Sequence, residues 1–346
     1  MERKTQGSMF HEGVCLEAVA YELPPYVVST ESIFERLLPM LERLKIPPQG
    51  ISAASGVEER RFWEPGATIV ETSTRAARKA LEASGIDPAD IGCIVSTSVC
   101  KDYVEPSMAS MVHGELGLSP HCKNFDIGNA CLAFMNGASI LADLISQGRI
   151  KAALLVDSES SREVIEATIE RLLQPDIQVS DFQLHFAALT LGSGAVAAVL
   201  THESISKTTH RVRGHVSLAD TRHRHLCLGN RTEMIVQARP LMEAGVDLAG
   251  RTWDLARQTF GWTADNVDLF VCHQVGSRHY GVLFDTLGLD PARSFVTYPN
   301  LGNVGPASVP LTLALALDAG RIKEGDRVAL VGIGSGLNCS MMELIW

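Results

Sequence analysis

A cysteine, Cys131, stands between small residues and the opening of an apolar run in "DIGNACLAFMNG", residues 126–137. A thiol becomes a nucleophile when ionised, and a helix N-terminus favours that state through its free N–H groups and the positive end of its dipole. Far downstream lie His273 in "VCHQ", Asn303 in "GNVGPASVP" and a Gly-Ser-Gly loop at 334–336. An imidazole and a carboxamide can donate hydrogen bonds to an oxygen that gains charge, and the backbone N–H groups of a tight glycine loop can form an oxyanion site. Cysteine, histidine, asparagine and glycine loop together suit acyl transfer through a thioester. The plain alternative is a buried thiol that only packs, which is common for free cysteines.

Such residues work together only if the fold unites them, and an internal repeat supplies the means. "ELGLSP" (115–120) resembles "TLGLDP" (286–291), and "GRIK" recurs at 148–151 and 320–323. "IDPADIGCIVSTS" (86–98) resembles "WTADNVDLFVCHQ" (262–274), and "LTLGSGAVAAVL" (189–200) resembles "LVGIGSGLNCSM" (330–341). Each half reads as a helix, a β-branched strand, further helices ending at GRIK, a strand, Gly-Ser-Gly and a last strand. Strands alternating with helices predict an α/β fold with a largely parallel sheet. Two such units related by a pseudo-dyad predict a duplicated five-layer α/β/α/β/α body.

The halves divide as residues 1–204, carrying Cys131, and 205–346, carrying His273 and Asn303. The first half holds an insertion at about 158–188, read as an amphipathic helix with Val164, Ile165, Ile169, Leu172 and Leu173 on one face, a Pro-Asp turn and a second short helix. The GRIK shift sets Cys131 opposite Asn303, each heading a helix, and His273 ends a neighbouring strand. A dyad then makes the two helix starts face each other.

Composition bounds the rest. The 346 residues carry a formal charge of −10, which argues against a general nucleic-acid surface. The start, "MERKTQGSMFHEG", has no apolar signal run and reads as a frayed end. The uncharged stretch 294–317 is broken by prolines and glycines, so it reads as a loop and a buried helix rather than a membrane span. Eight cysteines without CxxC spacing point to a reduced, cytoplasmic protein with neither disulfides nor a metal site.

"NACLAF", "CHQ", "GNVGPASVP" and "GIGSGLNCS" together resemble the condensing branch of the thiolase superfamily, near β-ketoacyl-ACP synthase III, over about Val14 to Trp346. That resemblance implies that Cys131 is acylated, that His273 and Asn303 stabilise an enolate, and that the N–H groups of Cys131 and Ser335 hold the thioester oxygen. The chain departs from typical synthase III sequences in having Glu105 in "KDYVEPSMAS" where an apolar residue is usual, GNVGPAS for GNTSAAS, and Gly-Ser-Gly for a triple glycine. This combination looks most like the OleA-type enzymes, which join two fatty acyl-CoA thioesters head to head. The implied protein is a homodimer that uses CoA thioesters as substrates and needs no cofactor, with Glu105 reaching the neighbouring subunit's tunnel.

Glu105 gives the choice a physical reason. A malonyl donor makes its carbanion by losing carbon dioxide, whereas an unactivated acyl-CoA must lose an α-proton to a base. A carboxylate in an apolar tunnel has a raised pKa and suits that work. Its plain alternative is a solvated turn before Pro106. The rival functions are a decarboxylating synthase III that uses malonyl-ACP or malonyl-CoA, a non-catalytic partner subunit, and a cysteine hydrolase. Arg222, Arg224 and Arg231 in "DTRHRHLCLGNR", with Arg278 after His273, are candidates to bind CoA phosphates or a carrier, or else plain solvated arginines. His113 and His279 receive no role, and Cys272 and Cys339 read as buried strand residues.

Overall fold

In the computed structural model, residues 8–47 and 55–346 are described. An apolar run such as "AALLVDSE", buried along its whole length, can only be a strand covered on both faces. The strands in chain order are β1 Ser8–Phe10, β2 Val14–Glu22, β3 Tyr26–Ser29, β4 Glu59–Phe62, β5 Ile91–Ser96, β6 Lys123–Asp126 and β7 Ala152–Glu159. There follow β8 Gly194–His202, β9 Arg211–Ala219, β10 Cys227–Gly229, β11 Met234–Val236, β12 Leu269–Cys272, β13 Arg327–Gly334 and β14 Asn338–Ile345. Among the described residues the helices begin with α1 Thr30–Leu44, α2 Ile69–Ser84, α3 Met108–Leu116, α4 Ala133–Ser146 and α5 Arg162–Leu172. The others are α6 Val179–His185, α7 Ala238–Phe260, α8 Ser277–Leu287, α9 Tyr298–Leu301 and α10 Ser308–Asp318.

The repeat read in the sequence appears as repeated pairing. β5 runs parallel to β7, β7 antiparallel to β8, and β8 antiparallel to β2. In the same way β12 runs parallel to β13, β13 antiparallel to β14, and β14 antiparallel to β9. The two half-sheets join through one Cα pair, Cys15 with Arg211. β6 forms one edge on β5, and its counterpart in the second half is reduced to a single bridge, Phe270 with Ser294.

Between the half-sheets lie α4 and α10. Phe134, Ala138, Leu141, Ala142 and Ile145 recur every three or four residues along α4, which buries that stripe against the inner faces of both half-sheets. Val309 and Leu313 of α10 enter the same core. Ala76, Ala77, Ala80 and Leu81 of α2 cover the outer face of the first half-sheet, while Leu248, Ala249 and Trp253 of α7 with Leu283 and Phe284 of α8 cover that of the second. Five layers result, α/β/α/β/α.

Two boundaries differ from the sequence reading. Ser158 and Glu159 complete β7, so the insertion begins after them; its α5 and α6 flank the expected turn. Ile165, Ile169 and Leu172 of α5 pack on Ile33, Phe34 and Leu37 of α1, whereas Leu173 is exposed. The frayed start is the other difference. Residues 1–7 lie outside the described residues, but Ser8–Phe10 pair with β9, because the open edge of that strand offers a ladder of backbone partners. Among the described residues no helix is long and apolar enough to cross a membrane.

Candidate active site

The tips of β12 and β13 and the starts of α4 and α10 meet at one end of the molecule. β12 continues for one further hydrogen bond, His273 N–H to Val331 O at 2.7 Å, and this fixes the buried imidazole at the strand end. Burial, then neighbouring His279, pushes the His273 pKa down to about 3. The ring is therefore neutral at working pH, and its Nδ1 has no hydrogen-bond partner among the described residues.

Cys131 sits in a 3-10 turn, Ala130–Leu132, just ahead of α4. Ala130 has φ 44°, a left-handed conformation that non-glycine residues adopt at a cost of about 1 kcal/mol and that gathers at functional sites. Asn129 is tied to Asn136 at 2.7 Å and to Asn338 of β14 at 3.3 Å. Gly334 closes the site from β13: a Cβ there would stand 3.3 Å from Leu132 N and 3.4 Å from Cys131 N. The 334–336 loop thus abuts the nucleophile's own N–H, where an oxyanion pair from Cys131 and Ser335 is expected.

The ionisation of Cys131 differs from the sequence reading. Burial pushes its pKa up to about 12, and Cys227, Glu159 and Asp157 act in the same direction, while its own N–H opposes them. A helix terminus contributes about 0.3–2 kcal/mol, roughly one pKa unit, whereas full burial moves a thiol by several units. Desolvation wins, helped by the start of α4 lying beyond the cysteine at Ala133. The thiol is protonated at neutral pH and must lose its proton as it attacks.

Asn303 is held by the other half of the molecule. Its N–H donates to Thr190 O at 2.9 Å and its carbonyl accepts from Gly192 N–H at 2.8 Å. The two chains run so close that a Cβ at Gly192 would lie 1.7 Å from Leu301 O. Asn303 Oδ1 accepts from Gly305 N–H at 3.0 Å, which leaves Nδ2 as the donor side. Gln274, beside His273, accepts from Thr297 N–H at 2.8 Å and Tyr298 N–H at 3.0 Å and donates to Phe295 O at 2.7 Å, fixing the path into that loop. Gln274 carries no role in the sequence, where only its place in "CHQ" points to it.

The turns Ala130–Leu132 and Gly305–Ala307 lie against each other, so the helix starts do face. Their register is corrected, however. α4 has 14 residues and α10 has 11, so aligning the GRIK ends does not align the starts. Cys131 lies within its turn, whereas Asn303 precedes its own.

Not every candidate joins this cluster. Glu105 stands on an exposed tip, Tyr103 to Pro106, where Val104 is 100% accessible. Arg222 is clasped by Asp220 at 2.8 and 2.5 Å, and Arg231 bonds Glu163 at 2.7 Å. Arg224 bonds the Thr221 carbonyl at 3.3 Å, and Arg278 is exposed near the start of α8. Local partners thus absorb much of the basic cluster. Two residues without a role in the sequence reading do adjoin the site. Cys227 lies within electrostatic reach of Cys131, as does Glu159, a buried carboxylate pushed up to about 7 by burial. The acid-rich end of "AALLVDSE" in an apolar strand was the available signal for Glu159.

Residues 257–346 match the family described as 3-oxoacyl-[acyl-carrier-protein (ACP)] synthase III C terminal. The chain is 41% identical over 338 residues to the acyl-CoA:acyl-CoA alkyltransferase of Xanthomonas campestris pv. campestris, covering 98% of this chain and 100% of that one. To the acyl-CoA:acyl-CoA alkyltransferase of Shewanella oneidensis it is 37% identical over 350 residues, covering 98% and 100%. A crystal structure of Xanthomonas campestris OleA, a cysteine-to-serine variant with bound lauric acid and lauroyl-CoA, superposes with a TM-score of 0.95 at 41% identity, covering 97% and 100%. Solved variants of that protein are substituted at one cysteine, one histidine and one glutamate, and the intervals between those positions equal those between Cys131, His273 and Glu105.

Proposed function

This chain belongs to the acyl-CoA:acyl-CoA alkyltransferase (OleA) family, and on that premise we propose the following course for its non-decarboxylative condensation of two fatty acyl-CoA molecules. The Cys131 thiol gives its proton to the neutral His273 imidazole as sulfur attacks the first acyl carbonyl. CoA departs as a thiol carrying that proton, and the chain remains as an acyl-cysteine. A second acyl-CoA enters, and Glu105 of the neighbouring subunit takes its α-proton. Hydrogen bonds from His273 and Asn303 Nδ2 stabilise the enolate oxygen. The enolate carbon attacks the acyl-cysteine carbonyl, whose oxygen is held by the N–H groups of Cys131 and Ser335. Collapse expels the Cys131 thiolate, which regains a proton, and yields a 2-alkyl-3-ketoacyl-CoA that water can cleave to the β-keto acid. CoA is substrate and leaving group, and no step calls for a metal or a redox group. Arg222, Arg224, Arg231 and Arg278 are at most outer contacts for CoA phosphates.

A homodimer follows from the same reading. The exposed tip carries Tyr103 and Val104, and Phe125 is partly bare on edge strand β6. An unpaired edge beside exposed apolar side chains favours pairing with a second copy about a two-fold axis. That places the Glu105 tip against the partner. All eight cysteines are free thiols, which supports a reducing cytoplasm as its location.

The observation that carries the function is the near-full-length likeness to the alkyltransferases, with Cys131 and the 334–336 loop in contact at the base of the site. Incubation of the pure protein with a fatty acyl-CoA alone, followed by mass spectrometry, tests it. β-Keto acid or its ketone is expected without any malonyl donor. Product that appears only when malonyl-CoA or malonyl-ACP is added would assign the chain to the decarboxylating reaction instead.

A further inference from the structure

Glu159 ends β7, buried beneath the Gly305 turn: a Cβ at Gly305 would lie 3.7 Å from its Cδ. Its carboxylate faces the root of the loop that bears Glu105. Oε1 accepts from Val99 N–H at 2.6 Å and Oε2 from Cys100 N–H at 3.2 Å, while Cys100 Sγ donates to Ser160 O at 3.4 Å. Further on, Asp102 accepts from Ile69 and Val70 N–H at 2.9 Å each, capping α2. Lys101 pairs with Asp126 at 2.7 Å, and Asp126 also takes the Met108 and Ala109 N–H groups at the start of α3. The loop is pinned on both sides, and only its tip stands free.

Among these anchors Glu159 has a distinct place. Asp102 and Asp126 cap helices on the outer layer, whereas Glu159 lies on the nucleophile's side, within electrostatic reach of Cys131. We propose that Glu159 is a positioning residue which, through the Val99 and Cys100 N–H groups, sets the Glu105 tip that serves the partner subunit. It would thereby join the floor of each site to the base supplied to the other. The inference rests on the reading that Glu105 acts across the dimer. A misplacement of about 1 Å at a reacting group costs on the order of a hundredfold in rate.

Mixed dimers separate the two ideas. Doubly tagged heterodimers are purified from Glu159→Gln chains paired with Cys131→Ala chains, and condensation of acyl-CoA is measured. The one site with a thiol takes Glu105 from a chain whose Glu159 is intact. About half the wild-type activity is therefore expected, against about a hundredfold loss in the Glu159→Gln homodimer. A heterodimer no more active than that homodimer would overturn the inference, because Glu159 would then serve the thiol of its own chain. A fully active Glu159→Gln homodimer would overturn it too. Glu105→Ala chains paired with Cys131→Ala chains are the control: recovery there supports action across the dimer. No recovery in the control would remove that reading, and this inference with it. Glu159→Asp, which keeps the charge but withdraws it by one methylene, guards against misfolding of the glutamine variant and is expected to give the same pattern with a smaller loss.

Discussion

The cysteine and histidine at the centre of this chain are both held in their uncharged forms by burial, Cys131 pushed up to about 12 and His273 down to about 3. In the proposed course the neutral imidazole takes the thiol proton during attack, and keeping both groups uncharged until then avoids the cost of maintaining an ion pair in a site that must admit an acyl chain. The sign of the thiol shift gives a direct test. With its pKa far above neutrality, the thiolate fraction of Cys131 rises about tenfold per pH unit. Alkylation of the free enzyme by iodoacetamide at Cys131, followed by peptide mass spectrometry, should therefore accelerate steadily from pH 7 to pH 9. A plateau with a midpoint below pH 7 would mean that the helix terminus, not burial, sets the ionisation.

Strand ends and loops carry the site, and they are placed by close backbone approaches rather than by side-chain packing alone. The 190–192 segment, just after the insertion, pairs with the segment that bears Asn303, through two hydrogen bonds and a glycine that no side chain can replace without displacing Leu301. Gly192→Ala would force the two segments apart. A loss of about 3 kcal/mol in unfolding free energy is expected by urea denaturation, at the upper end for a single overpacked group. Condensation should fall further than Cys131 acylation, since Asn303 is proposed to act on the second substrate. If acylation and condensation fell equally, the segment would matter for general stability alone. Gln274 does similar work from the other side, with four hydrogen bonds to residues 295–298.

At the scale of the whole molecule, five layers bury α4 and α10 between half-sheets whose strand ladders join at one residue pair, Cys15 with Arg211. Such a body leaves β6 as an open edge with the Glu105 tip exposed, and the proposed reaction needs a second copy to complete each site. Phe125→Arg adds charge at that edge and should weaken the dimer. Analytical ultracentrifugation is expected to find monomer at micromolar concentration, with condensation lost while acyl-Cys131 still forms from acyl-CoA. A stable monomer that still condenses acyl-CoA would show that each chain is complete by itself.

Residue order alone carries the duplicated α/β body and points to the residues proposed to react. Paired segments such as "ELGLSP" and "TLGLDP" expose the duplication, and Cys131, His273 and Asn303 are legible because few residue types perform thioester chemistry. Tertiary structure decided what depends on surroundings. The thiol is neutral because protein atoms replace its water, which no local pattern reveals. Asn303 is offset from Cys131 because α10 is three residues shorter than α4. Glu159 meets the loop at Val99 only because β5 and β7 lie side by side, bringing together groups sixty residues apart in the chain.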